Sequence, residues 1–180
     1  MQLFNLFILL LLTFVTSSAS AENSLPALGN LATNFTLRDD HDHPIELESY
    51  RGKKILLHFW APSCFVCPEE VQALERLQDR FGNKLSQIIT IVSFERSEKS
   101  VKKISEMNLS LPVLLDTDST VAMLFGVRTL PETFLIDEQG KFIEISDPER
   151  TDKKNFRLRG PRDWGSEKAI SSLRQSGFIP

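Results

Sequence analysis

Residues 54–71 read KILLHFWAPSCFVCPEEV and contain both cysteines of the 180-residue chain, Cys64 and Cys67. The apolar run 54–60 is bounded by a glycine and a proline, which is typical of a buried β-strand. After the cysteines, 68–82 repeats apolar residues at helical spacing and ends in glycine, which predicts an α-helix. The cysteine pair therefore lies between a buried strand and the start of a helix.

A Cys-x-x-Cys pair is compatible with half of a zinc site, a structural disulfide or a reacting dithiol. Zinc sites usually need four ligands, whereas this chain has one cysteine pair and three histidines, all upstream and without His-x3-5-His spacing. A disulfide between such close cysteines closes a very small loop and stabilises a fold little. The residues favour a reacting dithiol, and we predict no zinc or other metal site.

The position of Cys64 just before a helix favours its thiolate form. The first backbone N–H groups of a helix lack intrahelical partners, and that end of the helix carries partial positive charge. A lowered thiol pKa makes a cysteine a nucleophile at neutral pH. We therefore expect Cys64 to attack a substrate and Cys67, one turn further on, to resolve the mixed disulfide.

The other sequence patterns alternate between strands and helices. They predict strands at 85–94 and 111–116, helices at 97–108, 118–126 and 166–177, and a β-hairpin from 132–137 to 141–146. Upstream, 34–53 predicts a short antiparallel pair around a polar turn, whose His41 and His43 we interpret as solvated loop residues rather than metal ligands. This order predicts a mixed β-sheet covered by helices.

The first residues have the pattern of a secretory signal peptide at 1–21, with cleavage after Ala21 and a single domain at 22–180. The apolar run is shorter than the about 20 residues of a membrane-spanning helix. No lysine or arginine precedes the run, so an uncleaved anchor remains the alternative. We expect no stable membrane span and a periplasmic or other extracytoplasmic location. The net charge of −3 shows no basic excess of the kind typical of nucleic-acid binding.

Two longer stretches extend the pattern around the cysteines. FWAPSCFVCPEE (59–70) and FGVRTLPETFLIDEQGKF (125–142) together resemble the thioredoxin superfamily, and most closely the exported TlpA/ResA/DsbE-type thiol:disulfide oxidoreductases, several of which serve cytochrome c maturation. The later segment GPRDWGSEKAI (160–170) is also similar to that family. The resemblance implies an α/β, thioredoxin-like fold: a central mixed β-sheet flanked by helices, with an N-terminal β-hairpin extension.

The resemblance also implies roles for four further residues. Pro131 would have a cis peptide bond, lie against the dithiol, exclude metal and offer backbone to a substrate chain; the alternative is a trans turn proline. Glu70 would shuttle a proton to or from the thiols, unless it is an ordinary exposed carboxylate at the helix start. Trp60 and Glu132 would bind the substrate, against the alternatives of a core tryptophan and a surface glutamate.

The chain departs from the family pattern around the cysteines. Ser63 stands where an aromatic residue is usual, Phe65 and Val66 fill the motif where proline is frequent, and Pro68 replaces the usual basic residue after the second cysteine. No side chain within the motif offers the thiolate a hydrogen bond or a positive charge, and nearby glutamates, Glu132 among them, would oppose it. Because strongly oxidising dithiols have a stabilised reduced form, we expect a reducing enzyme.

The dithiol and the signal-peptide pattern predict an enzyme that reduces disulfides in exported proteins, and the family resemblance implies apocytochrome c as a candidate substrate. We expect it to be recharged by a membrane electron donor, to need no dissociable cofactor and to be a monomer. Two alternatives remain. Thiol peroxidases resemble one another in a Thr or Ser three positions before the reactive cysteine, where this chain has Ala61. A copper-binding module could use the two sulfurs, since thiolates bind Cu(I).

Overall fold

The computed structural model describes residues 26–82, 86–95, 98–150 and 154–180. The predicted signal peptide at 1–21 lies outside these residues. Within them, no helix is both long enough and apolar enough to cross a membrane.

Strands and helices alternate through the described chain. The strands are β1 Thr36–Asp39, β2 Pro44–Glu46, β3 Lys54–Trp60, β4 Ser86–Ser93, β5 Val113–Asp116, β6 Glu132–Ile136, β7 Ile145–Ser146, β8 Lys154–Asn155 and β9 Arg157–Arg159. The helices are α1 Cys67–Phe81, α2 Glu98–Glu106, α3 Thr120–Leu124 and α4 Glu167–Gln175. Seven strands form one sheet in the order β2-β1-β5-β4-β3-β6-β9, while β7 and β8 pair separately. The predicted mixed sheet flanked by helices is confirmed.

The sheet is built around β3. This strand pairs in parallel with β4 and antiparallel with β6, so that Trp60 lies beside Val92 and Phe59 lies beside Glu132. All its residues except the first are buried. Parallel strands that are covered on both faces consist of nearly continuous apolar runs, which is why the sequence pattern located β3 correctly.

Helices cover both faces of the sheet. One face packs against α1, α2 and α4, through residues that include Leu56, Trp60 and Leu135. The other face packs against α3 and the N-terminal segment, around a cluster of phenylalanine rings. The Phe125 ring centroid lies 5.8 Å from that of Phe35, 5.5 Å from Phe59, 5.6 Å from Phe134 and 5.8 Å from Phe142. Tilted and edge-on contacts at these distances are favourable for aromatic pairs.

The predicted N-terminal β-hairpin is present and forms one edge of the sheet. β1 and β2 are antiparallel, and β1 also pairs with β5. In the turn, Asp39 Oδ1 accepts the backbone N–H groups of His41 at 2.9 Å and His43 at 2.8 Å, and both rings are exposed. The side-chain atoms of Asp39, Asp40 and His41 that could bind a metal ion lie within 4.8 Å of one another. Since the turn's own hydrogen bonds bring them together, this closeness does not indicate a ligand.

The predicted late hairpin is wrong in its second strand. The turn forms, with the Asp137 N–H donating to the Lys141 carbonyl at 2.9 Å. Within 141–146, however, pairing with β6 stops after an isolated bridge between Phe142 and Ile136 and a hydrogen bond from the Ile143 N–H to the Leu135 carbonyl at 2.9 Å, and the last two residues form β7. The second partner of β6 is instead β9. This strand is short and polar, so no alternating apolar pattern indicated it.

Replacing Phe125 by alanine removes a fully buried ring from the aromatic cluster. We expect Phe125→Ala to lower the free energy of unfolding by about 3–5 kcal/mol because it leaves a cavity, as measured by urea denaturation. Phe65→Ala, at a ring that is 99% exposed, is the matched control and should change this free energy by less than about 0.5 kcal/mol. Equal losses in the two variants would contradict this core.

Candidate active site

The two cysteines lie where β3 ends and α1 begins. They form a disulfide, with their Cα atoms 5.4 Å apart. Cys67 is the first residue of α1 and is fully buried, whereas Cys64 lies in the preceding turn and is partly exposed. A substrate therefore approaches the pair from the side of Cys64.

The turn that carries Cys64 is fixed by two hydrogen bonds. The Cys64 N–H donates to the Ala61 carbonyl at 3.1 Å, and Lys103 Nζ, on α2, donates to the Pro62 carbonyl at 2.6 Å. The ammonium group of Lys103 thereby places a positive charge on the segment leading to Cys64, where it favours a thiolate. Sequence reasoning missed Lys103 because it lies 41 residues beyond Pro62 and on another helix.

Glu70 is buried one helical turn after Cys67, on the same side of α1. Its Oε1 accepts a hydrogen bond from Trp164 Nε1 at 2.8 Å and from the Arg162 backbone N–H at 3.1 Å. Its Oε2 is buried and has no hydrogen-bond partner among the described residues. The alternative of an exposed carboxylate is therefore wrong. Trp164 and Arg162 belong to the segment 160–170, for which the sequence predicted no role at the site.

Burial raises the pKa of Glu70 to about 7, although the hydrogen bonds from Trp164 and Arg162 oppose the rise. A carboxyl with this pKa populates both protonation states near neutral pH, so it is able to accept and return a proton. Glu70 also lines a surface groove beside Val66 and Pro161. The carboxyl is thus close to solvent even though its atoms are buried.

Trp60 is fully buried in a cluster with Cys67, Val71 and Ile104. Its indole Nε1 has no hydrogen-bond partner in the described part of the chain. Because Trp60 has no exposed surface, the predicted contact with substrate is wrong and the packing alternative holds. Its side chain holds the start of α1 against the end of β3.

The peptide bond between Leu130 and Pro131 is cis, as predicted. Leu130 packs against the cluster that includes Trp60 and Cys67, and Cys64 packs against the same cluster, so the segment before Pro131 lies near the dithiol. Pro131 itself is buried, and its carbonyl accepts the Gly160 N–H at 2.9 Å. No backbone hydrogen bond among the described residues uses Leu130. The backbone left open to a substrate strand is therefore that of the residue before the proline.

Glu132 is buried and paired with arginines. Its Oε1 lies 3.2 Å from Arg159 Nε and 3.3 Å from Arg157 Nη1, whereas its Oε2 has no hydrogen-bond partner among the described residues. Burial raises the pKa of Glu132, and the charges of Arg157 and Arg159 oppose the rise. Both the predicted direct contact with substrate and the surface alternative are wrong. The arginines also balance the charge that we expected to oppose the Cys64 thiolate.

His58, on β3, is a third buried ionisable residue, and sequence reasoning did not place it at the site. Its Nδ1 lies 2.9 Å from Thr133 Oγ1, and its Nε2 lacks a partner among the described residues. Burial lowers the pKa of His58 to about 3. The ring is therefore neutral at physiological pH and belongs to the core.

The site thus combines a disulfide at the start of a helix with a cis-proline segment packed nearby. Comparison with protein-family models agrees with this geometry. The model of the AhpC/TSA family matches residues 28–145. The chain belongs to the AhpC/TSA family. The matched region contains Cys64, Cys67 and Pro131, and it confirms the predicted relationship to thioredoxin-like proteins.

Comparison with individual proteins identifies relatives whose names state an activity. The chain is 31% identical over 129 residues to the thiol-disulfide oxidoreductase ResA of Halalkalibacterium halodurans, covering 72% of this chain and 73% of that protein. It is 34% identical over 119 residues to the thioredoxin-like protein YneN of Bacillus subtilis, covering 65% of this chain and 69% of that protein. A crystal structure assigned as the thiol:disulfide interchange protein DsbE of Chlorobium tepidum shares the fold, with a TM-score of 0.69 and 22% identity over 85% of this chain and 99% of that one.

These similarities establish the enzyme class as well as the fold. The protein is a thiol-disulfide oxidoreductase of the ResA type, with a thioredoxin-like fold, as the sequence predicted. The Cys64–Cys67 pair at disulfide distance fits a redox-active site.

The raised pKa of Glu70 makes stability depend on pH. An unburied glutamate titrates near 4.5, so between pH 4.5 and about 7 the folded protein keeps a proton that the unfolded chain has released. The free energy of unfolding therefore falls as the pH rises through this range, by about 3 kcal/mol in all. We expect Glu70→Gln to abolish this fall, because glutamine still accepts the hydrogen bond from Trp164 but does not titrate. Urea denaturation at a series of pH values between about 4 and 8 measures the free energy of unfolding and its change with pH.

Glu69→Gln is the matched control, since it removes the neighbouring carboxyl, which is exposed. Its stability should follow the pH profile of the unmodified protein. A Glu70→Gln variant that keeps the full fall in stability would show that the titrating group lies elsewhere.

Proposed function

We propose that the protein reduces disulfide bonds in exported proteins through the Cys64–Cys67 dithiol. The observation that supports this most directly is the buried carboxyl of Glu70, with a pKa raised to about 7 and an unpartnered oxygen among the described residues. Cys67 is buried away from solvent and has to lose its proton before it attacks a mixed disulfide. A carboxyl one turn further along α1 is placed to accept that proton.

The exchange proceeds in two steps. The Cys64 thiolate attacks one sulfur of the substrate disulfide, the other substrate sulfur leaves as a thiolate, and a mixed disulfide forms. Cys67 then transfers its proton to Glu70 and attacks the Cys64 sulfur, which releases the second substrate sulfur. The substrate gains two electrons, and the dithiol is oxidised to the Cys64–Cys67 disulfide of the structure.

The direction of electron flow is supported by the residues between the cysteines. Phe65 and Val66 are exposed apolar side chains that offer the Cys64 thiolate no hydrogen bond. The helix start and Lys103 favour the thiolate, whereas the exposed Glu69 opposes it. A dithiol whose reduced form is only modestly stabilised is the better electron donor.

The N-terminal pattern supports an extracytoplasmic role. We infer that 1–21 is a signal peptide cleaved near Ala21, and that the domain at 22–180 acts as a monomer outside the cytosol. Disulfides persist there, so a reductase in that compartment needs electrons from a membrane donor. Apocytochrome c is a candidate substrate, because several of the oxidoreductases that the chain resembles serve cytochrome c maturation.

Substitution of the resolving cysteine tests the order of attack. We expect Cys67→Ser to accumulate mixed disulfides on Cys64, because the second step is blocked. Non-reducing electrophoresis of the cell envelope fraction, followed by mass spectrometry, would detect the trapped substrates. Cys64→Ser is the matched control and should trap none. A Cys67→Ser variant without adducts would contradict the proposal.

The redox potential tests the direction. We expect equilibration with glutathione buffers to give a potential below roughly −150 mV, outside the range of strong oxidants. A higher value would overturn the reductive direction and leave thiol-disulfide exchange intact. Rapid consumption of hydrogen peroxide would instead support a thiol peroxidase, which Ala61 disfavours.

A further inference from the structure

Three arginines surround the buried Glu132 next to the cis-proline segment. Arg157 and Arg159 contact its carboxylate, and the exposed Arg128, four residues before Glu132, lines the same surface depression as these two arginines. One carboxylate balances one guanidinium, which leaves two positive charges in excess. Because the whole chain has a net charge of −3, this arginine cluster is not part of a generally basic protein.

A surface depression lies over the arginine cluster. Its described lining consists of Pro26, Gly126, Arg128, Thr129, Arg157 and Arg159, with no acidic side chain. Arg157 is held in place, with Nη1 3.3 Å from Glu132 Oε1 and 3.5 Å from the Gly126 carbonyl. The side chain of Arg159 is 57% exposed. Arg128 and Arg159 are therefore the two charges available to a ligand.

The arginine cluster is within reach of a peptide bound at the dithiol. Leu130 packs against the cluster containing Cys67. Arg128 is two residues from Leu130, so the Cα atoms of these two residues are at most about 7 Å apart. Arg159 lies opposite Glu132 in the β6–β9 pair. An extended chain advances about 3.3 Å per residue. Side chains two to four residues from a substrate cysteine therefore reach the arginines.

We propose that Arg128 and Arg159 bind an acidic peptide segment of the substrate, two to four residues from the cysteine that Cys64 attacks. This inference rests on the proposed function and specifies its substrate class. Guanidinium groups donate paired hydrogen bonds to carboxylates, and a cluster of one charge sign speeds association with the opposite sign.

The test compares two disulfide-bonded peptides that differ only in aspartates or asparagines two to four residues from one cysteine. Stopped-flow measurement gives the single-turnover rate constant of reduction by the fully reduced protein. We expect the aspartate peptide to react on the order of five- to tenfold faster at low salt. The difference should shrink at roughly 0.5 M salt, because exposed charges are screened.

Two double variants separate charge from structure. Arg128→Gln with Arg159→Gln should reduce the two peptides at equal rates, whatever that common rate is, and urea denaturation shows that the variant is folded. Arg128→Lys with Arg159→Lys should preserve the difference. Arg38→Gln, which removes an exposed arginine from the β1–β2 hairpin, is the matched control and should react like the unmodified protein.

Two results would overturn the acidic docking site while leaving disulfide reduction intact. One is equal rates for the two peptides with the unmodified protein, and the other is a difference that survives in the glutamine double variant. Failure to reduce either peptide would overturn the proposed function, and the docking site with it.

Discussion

The active site depends on one packing contact, that between the buried start of α1 and the end of β3. Trp60 and Cys67 share a cluster and have no exposed surface. Because protein interiors are packed as densely as organic crystals, side chains in such a contact have little freedom of position. The contact sets the place of the turn carrying Cys64, the direction of Glu70 and, through Leu130, the segment before the cis-proline. Reacting groups from separate elements need this kind of rigid support.

Three buried ionisable side chains lie around this contact, and each avoids an uncompensated charge in a different way. Burial keeps His58 neutral by lowering its pKa to about 3. Glu132 is compensated by Arg157 and Arg159, which lie within hydrogen-bond or ion-pair distance. Burial raises the pKa of Glu70 to about 7, although the hydrogen bonds from Trp164 and Arg162 and the charge of Arg162 oppose the rise. Glu70 therefore changes protonation near neutral pH and carries no permanent buried charge.

Local sequence patterns predict the frame of the site but not the partners of its polar groups. β3 and α1 were predictable because burial leaves continuous or periodic apolar patterns. The bond from Trp164 to Glu70 joins residues 94 apart, and that from Lys103 to Pro62 spans 41, distances at which a single sequence has no periodic signal. β9 has only three residues, with arginine at both ends. β9 supplies the arginines that pair with Glu132. Because this strand was not predicted, the sequence did not indicate that Glu132 is buried and that its charge is compensated.

Both tryptophans of the chain lie next to groups that take part in the proposed reaction. Trp60 shares a cluster with Cys67, and Trp164 donates its indole N–H to Glu70. Indole emission responds to nearby sulfur and to the charge of a hydrogen-bonded acceptor. All tryptophan fluorescence of the protein therefore originates at the site, with no background from remote indoles. The oxidation state of the dithiol and the ionisation of the carboxyl are both readable optically, without a label.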